Sequence, residues 1–123
     1  MAIDESRPFR PINVALLTIS DTRGPNDDTS GDLLAERIKG AGHNLIERAI
    51  ERDDVETIYR RLVSWADDPA IDAIITTGGT GLTGRDVTPE ALGRIKDKEI
   101  PGFGELFRWV SYQTIGTSTV QSR

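Results

Sequence analysis

The chain has 123 residues, no cysteine, one histidine, and 15 Lys+Arg against 20 Asp+Glu for a net charge of −5. Disulfides, thiolate catalysis and cysteine-ligated zinc are excluded, and His43, in a turn before a strand, makes no zinc site alone and is expected at the surface. The acidic balance argues against a nucleic-acid surface, no window approaches the roughly 18 apolar residues of a membrane span, and the lack of cysteine fits a cytoplasmic protein.

Residues 1–11 contain Pro8 and Pro11 without periodicity and are expected as a flexible N-terminal arm; residues 12–123 form one domain by length. Asn13 to Ile19 is a continuous apolar run, the mark of a strand buried on both faces of a parallel sheet. Ser20 to Thr29 is a polar loop. Asp32 to Ala41 places Leu34, Ile38 and Ala41 on one helical face, with Gly42 as its stop.

Asn44 to Ile50 is a second strand. Asp53 is expected to cap a second helix, with Glu56 closing a capping box and Val55, Ile58, Leu62 and Trp65 as its inward stripe. Asp67-Asp68-Pro69 ends that helix, and Ile71 to Thr77 is a third apolar strand. Thr88 is expected to cap a third helix with Pro89 at its first position, Leu92 and Ile95 facing inward. A break at Pro101-Gly102 precedes a fourth helix bearing Phe103, Leu106, Phe107, Val110 and Thr114 at helical spacing. Gly116 to Arg123 is a loop or the start of a strand. Trp65 and Trp109 are expected in the core or at a subunit contact.

Strands alternating with helices predict an α/β fold: three layers, α/β/α, around a mostly parallel sheet. Ligands of such sheets bind beyond the carboxyl ends of the strands. The two polar loops, Ser20–Thr29 and Gly78–Asp86, both follow strands, so they are expected on one edge and able to share a ligand.

The second of these loops, Thr76-Thr77-Gly78-Gly79-Thr80-Gly81-Leu82-Thr83-Gly84-Arg85-Asp86-Val87-Thr88-Pro89-Glu90, carries the chemistry. Its glycines permit positive φ and let backbone N–H groups converge on a phosphate. Asp86 beside them is placed to hold a divalent cation against phosphate oxygens, though an aspartate in a turn also bonds its own loop. A P-loop is excluded because no lysine lies in or just after the glycines. Gly79 to Gly84 matches the dinucleotide pattern G-x-G-x-x-G, but Arg85-Asp86-Val87 intervenes before the helix, which leaves a nicotinamide-dependent oxidoreductase as a weak alternative.

The stretch from Thr76 to Glu90 resembles the signature of the MoaB/Mog-type molybdopterin-binding family of molybdenum cofactor biosynthesis. Thr18-Ile19-Ser20-Asp21-Thr22 with Asp28-Thr29-Ser30-Gly31 is similar to that family's first loop and helix start, and Ile50-Glu51-Arg52-Asp53-Asp54 to its acidic second turn. Pro101 to Arg108 and Gly116 to Arg123 resemble the MoaB branch. The resemblance runs from Asn13 to the last residue, and the family domain continues past the Ser122-Arg123 pair, so residues 12–123 are expected to be a molybdopterin-binding domain truncated at its C-terminus.

The resemblance implies an adenylyltransferase that binds molybdopterin and ATP with Mg²⁺, moves AMP onto the terminal phosphate of molybdopterin and releases pyrophosphate. The alternative it implies is a non-catalytic molybdopterin carrier or scaffold. Asp86 and Asp53 are then the catalytic acids, with Asp86 on the metal. Gly78, Gly79, Thr80 and Gly81 contact nucleotide phosphate, Ser20 and Asp21 contact nucleotide or pterin, and Ser122 and Arg123 lie near the pterin pocket. Thr88 and Glu90 serve as helix caps. A homo-oligomer, trimer or hexamer, is implied as well, with the apolar fourth helix as a possible interface.

Overall fold

A computed structural model describes residues 2–123. Three parallel strands, β1 (Asn13–Ile19), β2 (Asn44–Glu51) and β3 (Ala73–Thr77), lie in the order β2-β1-β3. β1 is central because it alone is apolar enough to be covered on both faces: Val14 to Ile19 are all buried. Its alternation divides the core in two. Ala15, Leu17 and Ile19 face Ile58, Leu62, Trp65 and Ala91, whereas Val14 and Leu16 face Ala35 and Ile38. Helix α1 (Thr29–Gly40) thus covers one face, and α2 (Val55–Ala66) with α3 (Thr88–Ile95) covers the other. This is the three-layer α/β/α arrangement that the sequence predicts. The pairing of β1 with β2 shifts between Val14 and Ala15, skipping Ile46, which is left half out of the sheet's core.

Several boundaries move. Helix α1 begins at Thr29 because the Asp28 carboxylate caps it, accepting from the Gly31 N–H at 3.0 Å. Ala41 falls outside that helix and is exposed; Ala35 takes the inward place. The cap of α2 is Asp54, which accepts from the N–H and Oγ1 of Thr57 at 2.9 and 2.7 Å. Asp53 is therefore released from the capping role. Thr88 does not cap α3 either: it is buried, and its hydroxyl donates to the Gly78 carbonyl at 2.9 Å. Glu90 pairs with Arg123 instead of capping.

Helix α4 (Pro101–Ile115) starts at the proline itself, which suits a first helical position, and a 3-10 turn (Gly116–Gln121) replaces the expected loop or strand. No residue of α4 is buried. Phe103, Leu106, Phe107, Trp109, Val110, Tyr112 and Ile115 are all exposed, so Trp109 is no core residue of this chain while Trp65 is one. Among the described residues, no helix is long and apolar enough to cross a membrane.

The strands all end at one edge, and their three following loops meet there. Opposite, at the strand starts, Phe9 of the N-terminal arm tilts against the His43 ring at 5.1 Å, and His43 Nδ1 accepts from the Ile12 N–H at 3.1 Å. The arm is thereby fastened at the end of the sheet away from the loops.

Candidate functional site

The glycine loop leaves β3 through two residues in the left-handed region, Gly78 (φ 95°) and Gly79 (φ 67°). Side chains there are excluded on a second ground. A Cβ on Gly78 would collide with the Ile19 carbonyl, and one on Gly79 would meet Thr88 Oγ1 and lie 2.9 Å from Asp53 Oδ1. The loop therefore passes close over the end of β1 and beside Asp53. The Thr88 N–H bonds the Gly79 carbonyl at 3.0 Å and fixes the bend to the start of α3. The N–H groups of Gly79 and Thr80 have no protein partner among the described residues, so they remain free for an anion.

Asp86 closes the loop on itself. Its Oδ2 accepts from the Thr83 N–H at 3.0 Å and from Thr83 Oγ1 at 2.6 Å, and a Cβ on Gly81 would lie 2.6 Å from the same oxygen. The Thr83 hydroxyl, followed by the Thr83 and Gly81 amides, holds the Asp86 carboxyl below the ordinary aspartate range.

Asp21 joins the loops. Arg85 forks onto it, Nε to Oδ2 at 2.9 Å and Nη2 to Oδ1 at 2.9 Å, across 64 residues of sequence. Asp21 Oδ1 also accepts from the Asp53 N–H at 3.1 Å. Arg85 is the main reason that the Asp21 carboxyl sits below its ordinary range. Ser20 Oγ bonds its own turn, accepting from the N–H groups of Thr22 and Arg23 at 3.3 and 3.1 Å.

Asp53 differs from its neighbours. It is half-buried, no side chain among the described residues bonds it, and the donor that faces it is the Asp21 backbone. Burial, then the charges of Asp21 and Asp86, push its carboxyl above the ordinary range. A hard oxygen that is desolvated, flanked by like charge and short of donors suits a divalent cation. Mg²⁺ asks for one or two carboxylates and completes its shell with water and substrate phosphates. The residues thus fit such an ion through Asp53, with Asp86 next to it. Among the described residues, no cluster of three or more His, Cys, Asp or Glu forms a protein-only metal cage.

Arg123 pairs with Glu90 on α3, and its charge reaches Asp86; the Ser122 carbonyl faces Arg108 at 3.5 Å. Both residues of the terminal pair thus lie on the α3 side of the glycine loop. A cleft of about 1050 Å³ lies on the β2 side and is lined by Ser20, Asp21, Arg23, Arg48, Arg52 and Asp54 among others. Asp21 belongs to both: it lines the cleft and holds Arg85 of the glycine loop.

Sequence reasoning singled out Gly78 to Gly81, Asp86, Asp53, Ser20 and Asp21, and the fold brings them to one edge. It missed Arg85 as a partner of Asp21. It also missed the buried pair beneath the first loop, where Asp28 Oδ2 accepts from Thr18 Oγ1 at 2.8 Å and from Arg48 Nη2 at 3.0 Å. Gly31 was the available signal for Asp28, since a Cβ there would collide with the Asp28 carboxylate.

Residues 15–123 match the family model described as "Probable molybdopterin binding domain". The chain is 43% identical over 118 residues to molybdenum cofactor biosynthesis protein B of Escherichia coli K12, spanning 96% of this chain and 69% of that protein. It superposes on a crystal structure of a molybdenum cofactor biosynthesis protein B with a TM-score of 0.90 at 44% identity, covering 95% of this chain and 73% of the other. For the tungsten cofactor synthesizing protein MoaB from Pyrococcus furiosus the TM-score is 0.82 at 34% identity, with coverages of 94% and 72%.

Proposed function

The chain belongs to the MoaB-type molybdopterin-binding family of molybdenum cofactor biosynthesis proteins, and on that premise we propose that it binds molybdopterin and adenylylates its terminal phosphate with ATP. An oxygen of that phosphate attacks the α-phosphorus of ATP. The new phosphorus–oxygen bond forms as the bond to the bridging oxygen of the β-phosphate breaks, and pyrophosphate departs with the electron pair. The nucleophile is already an anion near neutral pH, so no cysteine, serine or histidine needs activation. What the protein supplies is position and charge.

The observation that carries this proposal is the tight bend at Gly78-Gly79, which sets free N–H groups beside an Asp53 carboxylate that no side chain of the described residues bonds. In this scheme Gly78, Gly79, Thr80 and Gly81 hold nucleotide phosphate, Asp53 is the principal carboxylate for the cation, and Asp86 keeps the loop in shape at its side. Mg²⁺, when bound, would neutralise charge on the phosphates. Ser20 and Asp21 present the first loop to the nucleotide or pterin, and Ser122 with Arg123 lies near the acceptor phosphate, which a guanidinium suits.

The test is pyrophosphate release by the full chain with ATP and Mg²⁺, with and without molybdopterin. Release that depends on molybdopterin supports the transferase. Tight pterin binding without any release overturns it in favour of a carrier of molybdopterin. Binding of NAD or NADP in place of adenine nucleotide would return the glycine loop to the dinucleotide class.

A further inference from the structure

We propose that the Arg85 guanidinium is the resident counter-cation of the acidic loops, and that a divalent cation entering the site must compete with it. This rests on the nucleotide site proposed above and adds a control to it. Three loops bring Asp21, Asp53, Asp54 and Asp86 to one edge of the sheet, and Arg85 is the cation that bonds among them. The fork takes both oxygens of Asp21, with a closest approach of 2.7 Å, and the charges of Asp53 and Asp54 act on it as well.

The remaining acids are otherwise engaged. Asp54 caps α2, and Asp86 is tied to Thr83. Asp53 alone faces the bend with like charge around it, so the positive charge that steadies it in the resting protein is that of Arg85. Arg85 is 68% exposed at its side chain and Asp21 32%, which leaves the pair free to open without disturbing the core. Asp21 also lines the 1050 Å³ cleft, so opening the pair frees a carboxylate on that cleft's wall. A carboxylate and a phosphate present the same two-oxygen edge to a guanidinium. Arg85, displaced from Asp21 by the arriving cation, therefore has a ready second partner in the phosphate that the cation accompanies.

Binding of Mn²⁺ to the full chain without nucleotide, followed by electron paramagnetic resonance, tests the competition. Arg85→Gln removes the internal competitor and is expected to bind Mn²⁺ about fivefold more tightly, the upper end of what an exposed ion pair contributes. Arg85→Lys keeps the charge but cannot fork onto both oxygens of Asp21, so its Mn²⁺ affinity is expected between those of the unaltered protein and Arg85→Gln. Unchanged or weaker Mn²⁺ binding in Arg85→Gln overturns the proposal. Loss of binding in all three proteins overturns it together with the magnesium assignment. Failure of adenylyl transfer with the Arg85→Gln effect intact overturns only the transferase.

Circular dichroism checks that Arg85→Gln folds. Should it not, the Arg85 Nε–H resonance of the unaltered protein decides. That signal must shift as Mg²⁺ is added, and a resonance unmoved at saturating Mg²⁺ overturns the competition.

Discussion

At the carboxyl ends of the strands, charged side chains reach across loops and bond one another, whereas along α4 apolar side chains face solvent in a row. The loop edge is built from long-range polar contacts: Arg85 with Asp21, the Asp53 amide with Asp21, Thr88 with Gly78. Helix α4 packs mainly against the 3-10 turn that follows it, and Phe103, Trp109 and Tyr112 remain exposed. The first region is held together by its own polar bonds. The second presents a helix's worth of apolar side chains to solvent. The contrast teaches that organisation of a site and closure of a core are separate achievements here: α1, α2 and α3 suffice to hold the three loops in place without α4.

The sharpest way to break the contrast is to remove the one acid at the loop edge that no side chain bonds. Asp53→Asn is expected to lower adenylyl transfer about 100-fold, or about 2.7 kcal/mol of barrier, in a steady-state pyrophosphate assay. Stability should move the other way. A carboxyl held above its ordinary range binds more protons folded than unfolded, so its charged form works against the fold as pH rises through that window. The amide lacks that charge, so the thermal midpoint at pH 7 is expected to hold or rise. A fall in both activity and midpoint would make Asp53 structural.

Core truncations compare the two regions directly. Leu17 is fully buried on β1 and Leu106 is 60% exposed on α4. Leu17→Ala is expected to lose about 3 kcal/mol in urea denaturation, and Leu106→Ala no more than about 0.5. If copies of the chain associate through α4, the Leu106→Ala loss grows and becomes dependent on protein concentration, which is the measurement that would place a partner on this helix.

Acid titration examines what lies under the loops. Burial alone would raise the Asp28 carboxyl, but the Thr18 hydroxyl, Arg48 and the Gly31 amide together outweigh it and hold the group below its ordinary range. The folded state then binds fewer protons than the unfolded one. The stabilisation is fully present above the ordinary aspartate value of about 4 and is lost as pH falls through the lower folded value. Asp28→Asn is expected to flatten that part of the stability–pH curve relative to the unaltered protein. Identical slopes would remove Asp28 from the account.

Much of the sheet was legible because β1 is apolar at every position that the fold buries except Thr18, and α2 carries Ile58, Leu62 and Trp65 at a spacing that fits one face. The glycine loop was legible because few other residues satisfy positive φ at Gly78 and Gly79. Choosing Asp54 over Asp53 as the cap was beyond the pattern, since two adjacent aspartates offer the same chemistry and only the path of the chain into the helix separates them. Arg85 and Asp21 stand 64 residues apart, and nothing local announces that pairing. Periodicity in α4 announced an apolar face but not what covers it.

The smallest predicted change in activity concerns Asp86, where sequence and geometry suggest different work. As a metal ligand, Asp86→Asn would lower kcat about 100-fold, as Asp53→Asn should. Its carboxylate instead accepts from the Thr83 amide and hydroxyl and lies against Gly81. Loosening that loop weakens the grip on phosphate before reaction and in the transition state alike, which appears in KM and not in kcat. Asp86→Asn keeps one acceptor oxygen but loses the charge that strengthens both bonds. The expected result is a rise of about tenfold in KM for ATP, or about 1.4 kcal/mol, with kcat within about threefold. A collapse of kcat at saturating ATP would return the cation to Asp86 and make the Thr83 bonds a resting arrangement that Mg²⁺ replaces.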